Sequence, residues 1–191
     1  DHKQIGPFVY SKVCKANNFG LSFIERLPKL GYKPICLETQ YRMHPEISIF
    51  PSKAFYGERL KNGIKAEDRL FEADPALLIK SEIPIAFYNV KNSLEQFSSN
   101  GKSFLNIAEA SALGEIISKF KSCAPKIQPE QLAVITFYNG MIDILRSHLH
   151  YLSSNGEDTD DFCDRININT VDAFEGSDID YVILVCVRSN K

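Results

Sequence analysis

The sequence predicts an α/β protein built on an open, mostly parallel sheet. Segments with strand character alternate with segments of helical spacing along much of the chain. Tyr181-Val182-Ile183-Leu184-Val185-Cys186-Val187 is a continuous apolar run of the kind found in strands buried on both faces. Residues 104–123 set Leu105, Ala108, Ala112, Leu113, Ile116, Ile117 and Phe120 along one helical face.

Element by element, 22–27 has helical spacing and stops near Pro28, with Gly31 beyond it. Residues 34–38 read as a short strand running into Thr39-Gln40-Tyr41-Arg42. A helix is expected after Pro45, because proline suits a first helical turn and Ile47, Ile49 and Phe50 are apolar. Residues 57–82 are charged and irregular, a surface excursion, and 83–90 reads as a strand. After the 104–123 helix come a strand over 132–136, a helix over 141–152 and a polar acidic loop over 153–161. A strand with alternating apolar residues over 166–171 precedes the final apolar run. Ligands bind at the carboxyl ends of strands in such sheets. The loops Thr136-Phe137-Tyr138-Asn139-Gly140 and Thr170-Val171-Asp172-Ala173-Phe174-Glu175-Gly176 are therefore the ones to read for function.

Composition narrows the classes. At about 150 residues per domain, 191 residues make one domain, or one domain and part of a neighbour. Hydrophobic residues at 44% and charged residues at 24% exclude a disordered tail, a collagen-like rod and a disulfide-dense mini-protein. No apolar run approaches the roughly 20 residues of a membrane span, and the polar start Asp1-His2-Lys3-Gln4 does not read as a signal peptide. Lys and Arg number 22 against 24 Asp and Glu, a net charge of -2, so any nucleic-acid contact is expected to be local rather than a broad positive field. The five cysteines are odd in number and show no C-x-x-C spacing; Cys36 and Cys186, inside apolar runs, read as reduced core thiols of a cytosolic or nuclear protein. No Cys/His spacing fits zinc. His148 and His150, two apart, would point to different helix faces and into solvent.

Several motifs carry little. Gly101-Lys102-Ser103 resembles the end of a phosphate-binding G-x-x-x-x-G-K-[ST] loop, but Gln96 stands where the first glycine belongs and no strand precedes it. There is no G-x-S-x-G elbow, and no carboxylate pairing is legible. Gln40-Tyr41-Arg42-Met43-His44-Pro45 is more informative. A planar Tyr beside a permanently charged Arg, just past a strand, suits stacking on a base and neutralising a phosphate. On spacing alone, a Tyr at the core edge and an Arg in a surface ion pair fit equally.

Q-Y-R-M-H-P resembles motif IV of superfamily 1 helicases of the up-frameshift type. Further matches follow in family order. Asp1-His2-Lys3-Gln4-Ile5-Gly6-Pro7 resembles the tail of motif III, G-D-x-x-Q-L-x-P. Ser103, Asn106, Glu109 and Ala110 match S-x-x-N-x-x-E-A, residues 170–176 resemble motif V, T-V-D-x-F-Q-G, and 181–190 resembles the strand that follows it. The wording around Gly20-Leu21-Ser22, Phe55-Tyr56 and Leu60-Lys61-Asn62-Gly63 is also similar.

The resemblance implies a RecA-like fold of the P-loop NTPase class, with 1–33 ending a first RecA-like domain and 34–191 forming most of a second. It implies that Gln4 senses the γ-phosphate or its attacking water, that Tyr41 stacks on adenine and that Arg42 reaches the γ-phosphate as an arginine finger. Asp178, where the family has Glu, would accept from the ribose hydroxyls, with Gly176 beside it in the nucleotide site. Thr136, Thr170 and Asp172 would line the path of a single strand of RNA through hydroxyl and amide contacts. ATP and Mg²⁺ are the implied cofactors, other mRNA-decay factors the implied partners, and the cytoplasm, or else the nucleus, the implied compartment, without membrane association.

Glu175 departs from the motif V glutamine, exchanging a donor-acceptor amide for an acceptor-only anion. Phe137 and Met141 depart from the family proline and a frequent glutamine. The P-loop, the Walker B acids and motif VI do not occur in these 191 residues and are expected before Asp1 and after Lys191; the isolated chain is therefore expected to hydrolyse no ATP. The implied activity is 5′ to 3′ ATP-dependent RNA translocation in nonsense-mediated mRNA decay. The alternatives are a RecA-like binding module without catalysis and a DNA helicase of the same superfamily.

Overall fold

The computed structural model describes residues 1–69, 84–154 and 161–188. The chain packs as two units, Asp1–Arg69 and Leu70–Lys191.

In the first unit, α1 (Lys12–Ala16) is capped by the Ser11 hydroxyl, which accepts from the Cys14 amide. The Ser22 hydroxyl caps α2 (Phe23–Lys29) in the same way through the Glu25 amide, and Lys29 pairs back to Glu25 one turn away at 3.1 Å. The helix runs one residue past Pro28. Gly31, at φ +90°, then allows the Gly31 and Tyr32 amides to return to the Pro28 and Leu27 carbonyls, satisfying two of the last helical acceptors.

The strand expected over 34–38 does not form. Ile35 is 94% exposed and Leu37 87% exposed, and the first strand is β1 (Thr39–Gln40). An apolar run becomes a strand only where a second strand takes up its amides and carbonyls. That partner begins at β2 (Lys61–Asn62), which pairs in parallel with Thr39 opposite Lys61 and Gln40 opposite Asn62. The crossover between them is α3 (Pro45–Phe55), with Pro45 in its first turn as expected. Part of the 57–82 excursion is ordered: β2 is followed by a short 3-10 turn, Ala66–Arg69. Its remainder, with residue 83, lies outside the described residues.

In the second unit, 84–90 carries no regular structure and Phe87 is exposed, against the expected strand. A small antiparallel hairpin follows, β3 (Gln96–Phe97) against β4 (Phe104–Leu105). The Gly101-Lys102-Ser103 segment is its turn, between two strands rather than between a strand and a helix. Phe104 and Leu105 thus belong to the hairpin, and α4 (Ile107–Cys123) begins only after Asn106, whose side chain accepts from the Glu109 amide as its cap.

The main sheet is parallel throughout. Its centre is β5 (Leu132–Thr136), and α5 (Asn139–Leu152) and α6 (Phe162–Arg165) lead into β6 (Asn167–Thr170) on one side. The last strand, β7 (Tyr181–Val185), lies on the other side, giving the order β6-β5-β7. The core lies on one face. There Ala110, Leu113 and Ile117 of α4 and Met141, Leu145 and Leu149 of α5 close over Leu132, Val134, Ile168 and Val185. The helices approach closely at Gly114, where a Cβ would stand 2.9 Å from His148 Nε2 and Leu152 Cδ1. His148 is therefore half-buried against α4, whereas His150 is exposed and meets Asp164.

The final run is not buried on both faces. Val182 is 54% and Leu184 51% exposed; their register partners Ala133 and Ile135 oppose Asn167 and Asn169 across the sheet. Of the cysteines, only Cys163 is buried; Cys36 and Cys186 are exposed, so neither is a core thiol. Both misplacements have one cause: apolar sequence reports a capacity for burial, and a covering layer must be present to realise it. No helix among the described residues is long and apolar enough to cross a membrane.

The S-x-x-N-x-x-E pattern acts beyond α4 itself. Val187, buried and β-branched, has φ +67°, a conformation disfavoured for such a residue. Its amide donates to Glu109 Oε2 at 2.8 Å, and its carbonyl accepts from Asn106 Nδ2 at 3.1 Å. Two side chains from the first turn of α4 thus hold both polar groups of a strained residue. Glu109→Ala leaves the Val187 amide buried and unpaired, a loss of about 1–3 kcal/mol. The urea midpoint of Glu109→Ala should fall accordingly, whereas Glu115→Ala, on the exposed face of the same helix, should leave it within experimental error.

Candidate functional site

The segment after β1 is fixed by an amide with no spare capacity. Gln40 Nε2 donates to the Met43 carbonyl and to Asn62 Oδ1, both at 2.7 Å. Its Oε1 accepts from the Arg42 amide at 2.9 Å and the Met43 amide at 2.7 Å. Two donors and two lone pairs are all that a glutamine side chain offers, and all four are used. Asn62 in turn lies 2.8 Å from the Ser48 hydroxyl of α3, and the Gly63 amide donates to the Gln40 carbonyl at 2.9 Å.

Arg69 closes the loop from the other side. Its guanidinium donates to the Tyr41 carbonyl at 3.2 Å and the Arg42 carbonyl at 3.1 Å. His44 ends the segment as the cap of α3, its Nδ1 accepting from the Glu46 amide at 3.2 Å. His44 Nε2 is buried. With the backbone anchored in this way, the Tyr41 and Arg42 side chains project outward, and Tyr41 is 65% exposed. A surface ring and a surface guanidinium on adjacent residues suit a ligand with a flat base and a phosphate. Tyr41 is not a core-edge residue.

Gln4 sits elsewhere in the same unit. Its amide closes a turn onto the Asp1 carbonyl, and Asp1 Oδ2 accepts from the Tyr56 hydroxyl at 2.5 Å. The first turn of the chain is thus anchored at the carboxyl end of α3, and His44 lies at the other end, about 16 Å away for an 11-residue helix.

In the second unit the carboxyl ends of the parallel strands define one rim. Thr136 and Thr170 are direct register partners there, and Val185 flanks Thr136 on the other side. Thr136 is fully buried, and its hydroxyl accepts from the Tyr138 amide at 3.4 Å. Its hydroxyl has no surface to offer a passing strand; the exposed residues of that loop are Phe137 and Asn139. Thr170 is half-buried, and Asp172 lies exposed in the 3-10 turn Val171–Phe174. Glu175, Gly176 and Asp178 are exposed beyond it, and Gly176 takes φ +82°, a conformation open to glycine.

Arg188 follows β7 on this rim. It donates to Glu95 at 3.3 Å and lies 4.4 Å from the centroid of the Phe104 ring. Its hydrogen bond to Tyr138, more than that to Glu95, holds its guanidinium even more firmly protonated than usual. Sequence reasoning assigned no role to Gln40, Arg69 or Arg188. For Gln40 a signal existed, a long amide ending a strand of a recognised motif; for Arg69 and Arg188 the contacts are made across the fold and leave no local pattern. Among the described residues no group of three or more His, Cys, Asp or Glu could hold a metal.

A parallel α/β sheet with its polar loops at the carboxyl rim defines a RecA-like module, and the chain belongs to the AAA domain family, whose model matches residues 19–191. The particular relatives are consistent with one another. The chain is 40% identical to ATP-dependent helicase NAM7 of Saccharomyces cerevisiae, over the whole chain and 19% of that protein. It is 37% identical to ATP-dependent helicase upf1 of Schizosaccharomyces pombe, over 20% of its length. Regulator of nonsense transcripts 1 of Caenorhabditis elegans is 37% identical over 17% of its length. The resemblance to the up-frameshift type thus extends along the full chain, which spans a fifth or less of these relatives.

The Gln40 arrangement is testable without any ligand. In Gln40→Glu the carboxylate has no N–H for the Met43 carbonyl or Asn62. Amide hydrogen exchange at Arg42 and Met43 should accelerate by about tenfold or more, the equivalent of about 1.4 kcal/mol of lost local stability, with α4 and α5 unchanged.

Proposed function

We propose that the whole protein is an ATP-dependent RNA helicase of superfamily 1, moving 5′ to 3′ in nonsense-mediated mRNA decay. The supporting observation is the rigid loop that presents Tyr41 and Arg42 side by side, with every polar atom of the Gln40 side chain committed to its backbone. The names of the relatives, ATP-dependent helicase and regulator of nonsense transcripts, support the same reading.

In this proposal ATP binds with its base on the Tyr41 ring. Arg42 meets negative charge that grows on the γ-phosphoryl oxygens as the terminal bond breaks. Gln4 orients the attacking water or reports the γ-phosphate. Mg²⁺, when bound, would neutralise charge on the phosphates. Thr170 and Asp172 contact the RNA strand, and Thr136 acts at one remove, by holding the loop that exposes Phe137 for stacking. Other mRNA-decay factors are the proposed partners and the cytoplasm the proposed compartment.

Tyr41 and Arg42 should separate in kinetics. Arg42→Ala in the whole protein should lower turnover by roughly 10³-fold while sparing ATP binding, because its interaction strengthens only in the transition state. Tyr41→Ala should weaken nucleotide affinity by about 1–2 kcal/mol through lost stacking, with a smaller effect on the saturated rate. Steady-state kinetics with nucleotide titrations check both, and identical behaviour of the two variants would refute the separate roles.

Glu175 is exposed beside the Asp172 turn. A carboxylate facing a strand of phosphates repels them, and Glu175→Gln should tighten RNA binding at low salt by about 0.5–1 kcal/mol. Screening over a Debye length of about 8 Å at physiological salt should bring the two proteins' affinities together as salt rises. RNA titrations at several salt concentrations read this out; parallel, superimposed curves would place the Glu175 carboxylate away from the strand.

A further inference from the structure

Gly63 has no conformational reason to be glycine. Its φ lies outside the left-handed region, so its backbone admits any L-residue. Its neighbour supplies the reason. A Cβ on Gly63 would stand 2.2 Å from Tyr41 Cε1 and 2.6 Å from both Cδ1 and Cζ. One side of the Tyr41 ring therefore lies directly on the β2 end of the backbone, occupying the space a side chain would fill. The two residues are locked in register by the Gly63 amide donating to the Gln40 carbonyl, immediately before Tyr41. Every other anchor of the loop acts on backbone: Gln40 on the Arg42 and Met43 amides, Arg69 on the Tyr41 and Arg42 carbonyls. Gly63 acts on the ring.

We propose that Gly63 is a positioning residue for the nucleotide base: it serves as the floor under the Tyr41 ring, holding it in the pose that leaves its outer face open for stacking. The inference rests on the reading of Tyr41 as the base-stacking residue. A tyrosine ring on the surface can otherwise turn about χ1 and χ2, and ordering it on binding costs affinity. Packing one side against backbone removes part of that cost in advance. Any side chain at position 63 occupies the ring's place. Because the displaced group is the free end of a rotatable side chain, the fold tolerates the change, and what is lost is the pose.

The test uses the whole protein with Gly63→Ala, Tyr41→Ala and the double variant. ATP and inorganic tripolyphosphate, which has the charge but no base, are titrated in parallel, and thermal unfolding is followed without ligand. Gly63→Ala should weaken ATP binding by about 3- to 10-fold, leave tripolyphosphate binding unchanged and leave the unfolding midpoint unchanged. The double variant should bind ATP no more weakly than Tyr41→Ala alone, since a floor has no function without the ring. If Gly63→Ala binds ATP as the parent does while Tyr41→Ala weakens it, the floor is refuted and the stacking role stands. If Tyr41→Ala itself binds ATP normally, the stacking role fails and this inference with it. Equal weakening of both ligands by Gly63→Ala, or additive losses in the double variant, would assign Gly63 a general structural role and overturn the proposal; Gly63→Ser, with a side chain of similar size, should repeat the Ala pattern.

Discussion

Parallel strand pairing is the constraint on which the rest of the structure depends. Two parallel neighbours cannot be joined by a tight turn, so a crossover must carry the chain back before the next strand begins. The first unit meets this with α3 between β1 and β2, and the second with α5 and α6 between β5 and β6. The segment that leaves each strand at its carboxyl end therefore has to turn within a few residues, and its backbone groups lose the ladder at that point. Most of the side chains with a candidate function lie in these segments: Tyr41 and Arg42 past β1, Phe137 past β5, Asp172 to Asp178 past β6 and Arg188 past β7; Gln4, in the first turn of the chain, does not.

Past β1, β5 and β7 the solution to the lost ladder is the same, and it explains the accompanying residues. A neighbouring side chain takes the place of the missing strand. Gln40 and Arg69 do so for residues 41–43, Thr136 for the Tyr138 amide, and Asn106 with Glu109 for Val187. The polar residues of a recognisable motif are thus of two kinds. Some face outward toward a ligand and some face the backbone to hold the first kind still. Thr136 illustrates the distinction: the resemblance implies a contact with the nucleic acid, whereas its complete burial and its bond to the Tyr138 amide make it a residue that holds the loop.

The same distinction explains which features were legible in the sequence. The long amphipathic pattern of α4 and the short apolar strand β5 are local; β5 forms with the expected bounds and α4 differs only at its start. That start moved because Asn106 caps α4 after the hairpin residues Phe104 and Leu105, a competition between cap and strand that periodicity does not resolve. The apolar stretches at 34–38 and 84–90 failed for a different reason: a strand is a property of a pair, and neither segment has a partner in the described sheets. Tyr41 and Arg42 could be picked out from the motif, but their supports could not, because Asn62 and Arg69 stand 22 and 27 residues away from the groups they hold.

Charge sets a final limit on how such a chain can meet a polyanion. These 191 residues carry a net charge of -2, so they supply no broad positive field of their own. Arg188 is committed to Glu95, Tyr138 and the Phe104 ring, and Arg69 to two carbonyls. These two cations, already spent on structure, have little left to offer a phosphate, and the proposed contact can also draw on hydroxyls, backbone amides and stacking on rings such as Phe137. Those contacts are short-ranged and tolerant of sequence. A strand held this way is gripped only where the loops at the strand ends touch it, and it can be released by small movements of those loops. For a protein proposed to move along RNA, that combination of weak steering and positional grip is an advantage: tight, long-range binding would hold the strand in place when translocation requires it to be let go at every step.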